Sequence, residues 1–349
     1  MYKWIHLRAS INLNFTLCVS NILVKMRVLF ISDIHIKHNN VKEMMILTDK
    51  LQELNPKTYD FAVVAGDILD SHEKVNVQLL NRAYHMIRIL KAKTHVFVCV
   101  GNHDMLDNQQ FLSDGHWLNG MKEWDNVTIV DVPVEYKGFV FMPYVYQGRF
   151  IEALNTMSFD WKTATCIFAH QEIRGCKMGA FESVVGDVWD LELPLIISGH
   201  IHERQQPQPN VFYPGSVLTH AFGGKVDADQ GLAIFTFKDG QMSEQRISLD
   251  IRPKKTIHIK VGQGVNVSDL ANDTRLIITG TADEIASHKQ GKQNAVLVKK
   301  GVKVVYKLDS ARDVAPCVNS GCSFVTILEN LVKNIGDENL TKDYLSVIC

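Results

Sequence analysis

Short runs of Val, Ile and Phe alternate along the chain with longer stretches in which apolar residues recur every three or four positions. The first pattern is that of a strand buried on both faces, the second that of a helix with one buried face. The first clear strand is "RVLFIS" (27–32), followed by a helical period from Val41 to Leu54. "DFAVVAG" (60–66) and "HVFVCVG" (95–101) repeat the strand pattern, with a helix expected near 75–91 between them. Two short strands near 127–131 and 138–142 and a helix near 149–157 come next, then "TATCIFAH" (163–170) and "LPLIISGH" (193–200). Such alternation predicts a largely parallel α/β sheet. "NVFYPGSV", "GLAIFTF" and "EQRISL" then read as alternating strands of an antiparallel or second sheet, closing the core near Asp250.

Beyond that point "IRPKK" (251–255) has the character of a linker, because Pro253 stops regular structure and the lysines are solvated. Strand-like "TIHIKV", "TRLIITG" and "VKVVYKL" follow, with helices expected near 281–289, 323–334 and 341–348, enough for a small α/β module of its own. At the other end, "LNFTLCVSNILV" is mildly apolar, but Asn and Ser interrupt it and no small-residue cleavage site follows. The expected division is an extension over 1–25, a main domain over 26–250 and a second module over 251–349. No apolar stretch reaches the ~18 residues of a membrane helix, so no membrane association is expected.

Composition narrows the class. In 349 residues, hydrophobic content of 46% and charged content of 21% are those of a globular protein. A formal net charge of -1 gives no global attraction for nucleic acid, so any polyanion must be held by a local patch or by metal. The seven cysteines are odd in number and scattered, and Cys99 and Cys166 lie inside apolar runs, which fits buried free thiols in a reducing, cytoplasmic setting. Cys317 and Cys322 have no second pair at metal-knuckle spacing and read as loop cysteines.

The chemistry lies where strands stop. Five strand ends read "SDIH" (Asp33, His35), "GDILD" (Asp67, Asp70), "GNHD" (Asn102, His103, Asp104), "AH" (His170) and "GHIH" (His200, His202). The carboxyl ends of strands in an α/β sheet gather at one edge, where ligand sites form. Each motif alone fits an ordinary turn; five in series do not. Carboxylates, imidazoles and a carboxamide without thiolate suit Mn, Fe or Zn rather than a structural zinc knot. The donors are too many for one ion, and two divalent ions sharing a carboxylate account for them; such a pair serves displacement at phosphorus.

This ordered series resembles the calcineurin-like metallophosphoesterase superfamily. The resemblance implies a four-layer αββα sandwich, here with a small C-terminal α/β capping domain. It implies that Asp33, His35, Asp67 and His202 hold one metal, and that Asp67, Asn102, His170 and His200 hold the other. It further implies that His103 is the general acid, with its imidazole oriented by Asp104. Asp70 is expected to support a ligand from outside. His72, His38, His85 and His95 read as surface or packing histidines, and His220 is the one of this remainder best placed to reach the cleft.

Protein phosphatases of the superfamily carry G-D-x-V-D-R-G and G-N-H-E, and "GDILDSH" with "GNHD" departs from both. "FAHQEIRGCKMG" and "SGHIHERQ", followed by "YPGSV", resemble the nuclease subunits of SbcD type, and the compact layout resembles their bacteriophage forms. That resemblance implies a DNA exo- or endonuclease of recombination and repair, an SMC-like ATPase partner of SbcC type, a homodimer, and two divalent ions, with manganese ahead of iron, zinc or magnesium. For a viral chain the setting would be the host cytoplasm. Lys289, Lys292, Lys299, Lys300, Lys303 and Lys307 fall in a stretch without an acid and are candidate DNA contacts, although a solvated face has the same composition. A small-molecule or cyclic-nucleotide phosphodiesterase and a DNA-end-binding scaffold are the alternatives.

Overall fold

In a computed structural model, the described residues are 25–309 apart from 73, 180, 221, 223–229, 253 and 272, with 332, 335, 340 and 344 beyond them. The expected N-terminal extension and the two expected C-terminal helices lie outside these residues, save for those isolated positions.

The chain runs through β1 (Met26–Ile31), α1 (Val41–Glu53), β2 (Phe61–Ala65), α2 (Val77–Lys91), β3 (Val96–Cys99) and β4 (Val127–Val130). It continues through β5 (Val134–Tyr136), β6 (Phe139–Phe141), α3 (Phe150–Leu154), β7 (Cys166–Ala169), and a small hairpin of β8 (Lys177–Met178) and β9 (Phe181–Glu182). Then come β10 (Ile196–Ser198), β11 (Gln205–Gln208), β12 (Val211–Tyr213), β13 (Gly231–Lys238) and β14 (Gln241–Ser248). Two six-stranded sheets result, ordered β14-β13-β1-β2-β3-β4 and β11-β12-β10-β7-β6-β5. β1 to β4 are mutually parallel, as are β6, β7, β10 and β12. "GLAIFTF" and "EQRISL" do not build the second sheet: β13 returns antiparallel to β1 and carries β14 with it.

The period of two along each strand explains the layers. In β1, Val28 and Phe30 face the second sheet and pack with Phe61, Phe97, Phe141, Phe168 and Phe235. Leu29 and Ile31 face the other way, against α1 and α2 through Met44, Leu47, Met86 and Ile87. The outer face of the second sheet is covered by α3 and its flanking loops, with Phe150, Leu154, Trp161 and Trp189 on Ile167 and Ile196. The order is helix, sheet, sheet, helix. Cys99, Cys166 and Cys176 are free and buried in these layers, where burial drives the Cys99 thiol up to about 12.

The chain divides into two compact units. The first comprises the sandwich, continued to Ile257 and joined by 266–276 and 296–304; the second takes 258–265, 277–295 and residues from 305 onward. β15 (Lys255–Lys260), β16 (Thr274–Gly280) and β17 (Lys303–Leu308) pair as a three-stranded sheet. Within the second unit α4 (Ala282–Gln290) starts on a capping box in which Thr281 and Glu284 each accept from the other's backbone N–H. A helix not expected from the sequence, α5 (Lys292–Lys299), occupies the lysine-rich stretch and buries Leu297 alone. Among the described residues no helix is long and apolar enough to cross a membrane.

Candidate active site

Three of the five motif strands, β1, β2 and β3, belong to the first sheet, and β7 and β10 to the second. Their ends meet because the two sheets stack with matching edges. Asp33, His35, Asp67 and His200 have φ of 52°, 44°, 52° and 78°. Left-handed backbone is costly for residues other than glycine and gathers at functional sites, where surrounding structure enforces it. The enforcing bonds are backbone ones: Asp33 N–H donates to Gly66, His35 N–H to Asp67 and Ile36 N–H to Ile68. Gly66, at φ +80°, is required twice over, since a Cβ there would lie 2.5 Å from His170 Nδ1. A Cβ on Gly101 would overlap the backbone nitrogen and the carboxylate of Asp67.

Asp67 stands at the centre, almost fully buried. Its Oδ2 lies 3.4 Å from His35 Nε2 and its Oδ1 lies 3.3 Å from His170 Nε2. Around the first oxygen, His35 Nε2 is 3.1 Å from His202 Nε2, which is 3.8 Å from Asp33 Oδ1. Around the second, Asn102 Oδ1 is 3.0 Å from both His170 Nε2 and His200 Nδ1. All seven residues expected as metal ligands are therefore brought together, in the two expected groups.

Tautomers show what these groups can hold. His170 Nδ1–H donates to the Ala65 carbonyl at 2.7 Å, so its Nε2 presents a lone pair to the oxygens of Asp67 and Asn102. Lone pairs facing one another at 3.0–3.4 Å call for positive charge between them, a proton or a metal ion. Burial works against a proton on His170, yet the Asp67 carboxylate overcomes it and lifts the imidazole to about 9. Burial, with His170 second, pushes His200 down to about 3; burial also pushes His35 down to about 2. Burial raises Asp33, whereas His170 and His35 hold Asp67 below the usual carboxylate range against its own burial. A metal ion would take the place of the His170 proton, and the imidazole nitrogens, the ionised Asp67 carboxylate and a carboxamide oxygen, with no thiolate, form a donor set that fits a pair of hard or borderline divalent ions.

The family comparison agrees. The model of the calcineurin-like phosphoesterases matches residues 26–204. The chain belongs to the calcineurin-like phosphoesterase family. It is 42% identical over 278 residues to the "Putative phosphoesterase 244L" of Invertebrate iridescent virus 6, covering 76% of this chain and 98% of that one. It is 37% identical over 334 residues to the "Putative phosphoesterase 078R" of Invertebrate iridescent virus 3, covering 91% and 96%. Among solved structures it is similar to purple acid phosphatase PPD1 from yellow lupin seeds, with a TM-score of 0.42, 13% identity and coverage of 64% and 52%. The family works with two metal ions, and the groups around Asp67 are where this phosphoesterase would hold them.

His103 forms a third group of possible ligand atoms with His35 and Asp67, all within 4.8 Å of one another. Its backbone N–H donates to Asp67 Oδ1 at 2.9 Å, and its Nδ1–H donates to the Asp70 carbonyl at 3.0 Å. With Nδ1 committed, Nε2 is the nitrogen left to exchange a proton. Asp104 does not orient the ring as expected. Its carboxylate accepts from Gly101 N–H at 3.1 Å, Ile68 N–H at 3.2 Å and the Trp117 indole at 2.9 Å. It fixes the turn that carries Asn102 and His103, and burial, then the charge of Asp67, raises it to about 6. Asp70 Oδ1 pairs with Lys37 Nζ at 2.7 Å and lies 3.5 Å from His35 Nδ1, without a hydrogen bond to it.

Two further histidines lie close to the chemistry. His72 stacks on His103, centroids 4.4 Å apart and planes 26° apart. His220 is half-buried, donates from Nε2 to the Asp33 carbonyl at 2.6 Å and lies edge-on to His35 at 4.9 Å. His220 was expected to reach the cleft, whereas only tertiary proximity reveals His72. Of the candidate lysines, Lys289 covers the Tyr306 ring and Lys300 donates to the Val267 carbonyl; Lys292, Lys299 and Lys303 are exposed.

Proposed function

We propose that this phosphoesterase is a manganese-dependent phosphodiesterase that cuts DNA, acting as the nuclease subunit of a recombination or repair complex beside an SMC-like ATPase of SbcC type. The observation that carries the phosphodiester chemistry is the Asp67 carboxylate presenting one oxygen to each ligand group, with an uncommitted imidazole nitrogen of His103 next to it. Bound there, two divalent ions would neutralise phosphate oxygens and make a nucleophile of water at neutral pH. Asp33, His35, Asp67 and His202 would hold one, and Asp67, Asn102, His170 and His200 the other.

The chain's own part is then to hold and deliver a proton. The Asp70 carbonyl keeps His103 in one tautomer, so that a proton on Nε2 can pass to the departing sugar oxygen. The carboxylate of Asp104 keeps the turn from shifting while this happens. "AHQEIRG" and the P-G-S segment after "GHIH" support a DNA substrate through their resemblance to SbcD-type subunits. A homodimer belongs to the same reading, and the similarity to two viral proteins supports a host cytoplasm as its setting.

The decisive assay offers manganese-loaded protein linear duplex DNA, hairpin DNA and a cyclic nucleotide side by side. Cleavage of DNA is expected, and hydrolysis confined to the cyclic nucleotide would refute the nuclease reading in favour of a small-molecule phosphodiesterase. His103→Gln should lower DNA turnover by about 10²-fold or more, the usual size of general acid catalysis, with metal content unchanged. Loss of metal in that variant would move His103 from proton transfer to ligation.

A further inference from the structure

One phenyl ring outside the ligand groups gathers three cations. Arg275 Cζ lies 4.7 Å from the centroid of Phe222, Lys254 Nζ 5.7 Å and Lys303 Nζ 6.0 Å. Among the described residues none of these cations has a carboxylate at ion-pair distance, and Arg275 Nε is buried without a hydrogen-bond partner. Burial lowers the Lys254 ammonium; Glu43 opposes this from beyond ion-pair distance, and Lys37 and Lys303 add to it. Like charges held together at partial burial destabilise a fold, and a cation–π interaction of about 0.5–1 kcal/mol each offsets this only in part. The arrangement is that of a site made for an anion.

The cluster is connected to the catalytic centre by short steps. His220, two residues before Phe222, donates to the carbonyl of Asp33, and Lys37 and Lys254 both bear on its ring. Lys37 is paired with Asp70, whose other neighbours are His35 and His103. A row of positive charge thus leads from the ligand groups through Lys37 and Lys254 to Arg275 and Lys303. Lys37 is neutralised by its partner, whereas the far end has no carboxylate at ion-pair distance among the described residues.

We propose that Lys254, Arg275 and Lys303 bind a polynucleotide through a phosphate other than the phosphate being cut. This rests on the phosphodiesterase reading above and deepens it. A cyclic nucleotide has one phosphate, which the ligand groups would take, and would leave the cluster unused. A strand carries further phosphates at fixed spacing, and guanidinium and ammonium groups without partners hold such oxygens in register. Lys303 belongs to the lysine-rich stretch between α4 and β17; Lys254 and Arg275 come from a linker and a strand that no charge run marks.

The test uses the full-length, manganese-loaded protein with labelled duplex DNA and, in parallel, bis(4-nitrophenyl) phosphate, a diester with no second phosphate. In the double variant Lys254→Gln with Arg275→Gln, kcat/KM for DNA should fall about tenfold relative to kcat/KM for the small diester. The slope of log K against log salt for equilibrium DNA binding should shrink by about 0.9 for each phosphate that the variant no longer neutralises. Arg275→Lys, which keeps the charge, should retain most of the slope. An unchanged slope, or an equal fall on both substrates, overturns the assignment. Wild-type protein that hydrolyses the small diester but neither binds nor cuts DNA would sink the nuclease reading itself, and the small diester keeps the two failures apart.

Discussion

The two ligand groups share Asp67 but live in different surroundings. On one side His170 is wholly buried, Asn102 is buried, and the His170 ring is locked by a 2.7 Å bond to the Ala65 carbonyl. On the other, Asp33 and His35 are buried but His202 keeps 42% of its side chain exposed and has no backbone bond to fix its ring. One half is built into the sandwich and preorganised; the other is completed by a residue at the rim. The difference teaches that the site has a fixed floor and an adaptable mouth, so that substrate and solvent meet the His202 side first.

The strongest way to break this picture is at the shared residue. Asp67→Asn removes charge from both halves at once, and turnover should fall at least about 10³-fold, beyond the 10²–10³ typical of removing one donor to a reacting oxygen. Calorimetric titration with manganese should show both affinities weakened. Loss of only one would mean that Asp67 does not bridge. Next in size, His170→Ala should cost more metal affinity than the ~10–100-fold typical of an outer partner, whereas His202→Ala should cost less than His170→Ala. Stepwise chelation of the wild type, followed by metal analysis, should strip one ion before the other. The retained ion should be released early in His170→Ala and not in His202→Ala; the opposite order would reverse the assignment of floor and mouth.

A smaller effect is expected at His72, whose ring stacks on that of His103. Stacking is worth about 0.5–1.5 kcal/mol, so His72→Ala should lower kcat some 2–10-fold with KM little changed. His72→Phe keeps the stack and should restore most of the activity. If phenylalanine does no better than alanine, the ring does something other than hold its neighbour in place.

Sequence reading and structure part company along the same line. The ligands were legible because ligation demands Asp, His and Asn in place of apolar residues where strands stop, and alternation along β1, β2 and β3 marks those stops. Antiparallel strands after residue 210 were legible as one of two alternatives, but not that β13 joins the first sheet beside β1, since a buried strand's sequence does not name its neighbour. Nor was α5, whose lysines and single buried leucine give almost no periodic signal. Asp104 was placed on the wrong partner because that role came from the family resemblance, while two of its actual donors, Ile68 and Trp117, come from elsewhere in the chain. His72, read as a surface or packing histidine, was missed because what makes it matter is a ring distant in sequence, whereas His220 was expected to reach the cleft.

The smallest effect, and the one that reads the mouth of the site most directly, is the acid sensitivity contributed by His220. Burial pushes this imidazole down to about 3, helped by His202, while its Nε2–H stays bonded to the Asp33 carbonyl. An unfolded chain takes up the proton near the ordinary value of about 6.5. Between those values the unfolded state binds a proton that the folded state refuses, so this residue's contribution is fully present above about pH 6.5 and is lost as pH falls toward about 3. The slope from one such group is at most about 1.4 kcal/mol per pH unit. His220→Gln offers an amide N–H to the same carbonyl without titrating, so its denaturation midpoint should fall less steeply than that of the wild type between about pH 6 and pH 4. An unaltered slope would assign the acid sensitivity to the ligand imidazoles His35 and His200, in which case added manganese, competing with protons for those nitrogens, should flatten it in both proteins.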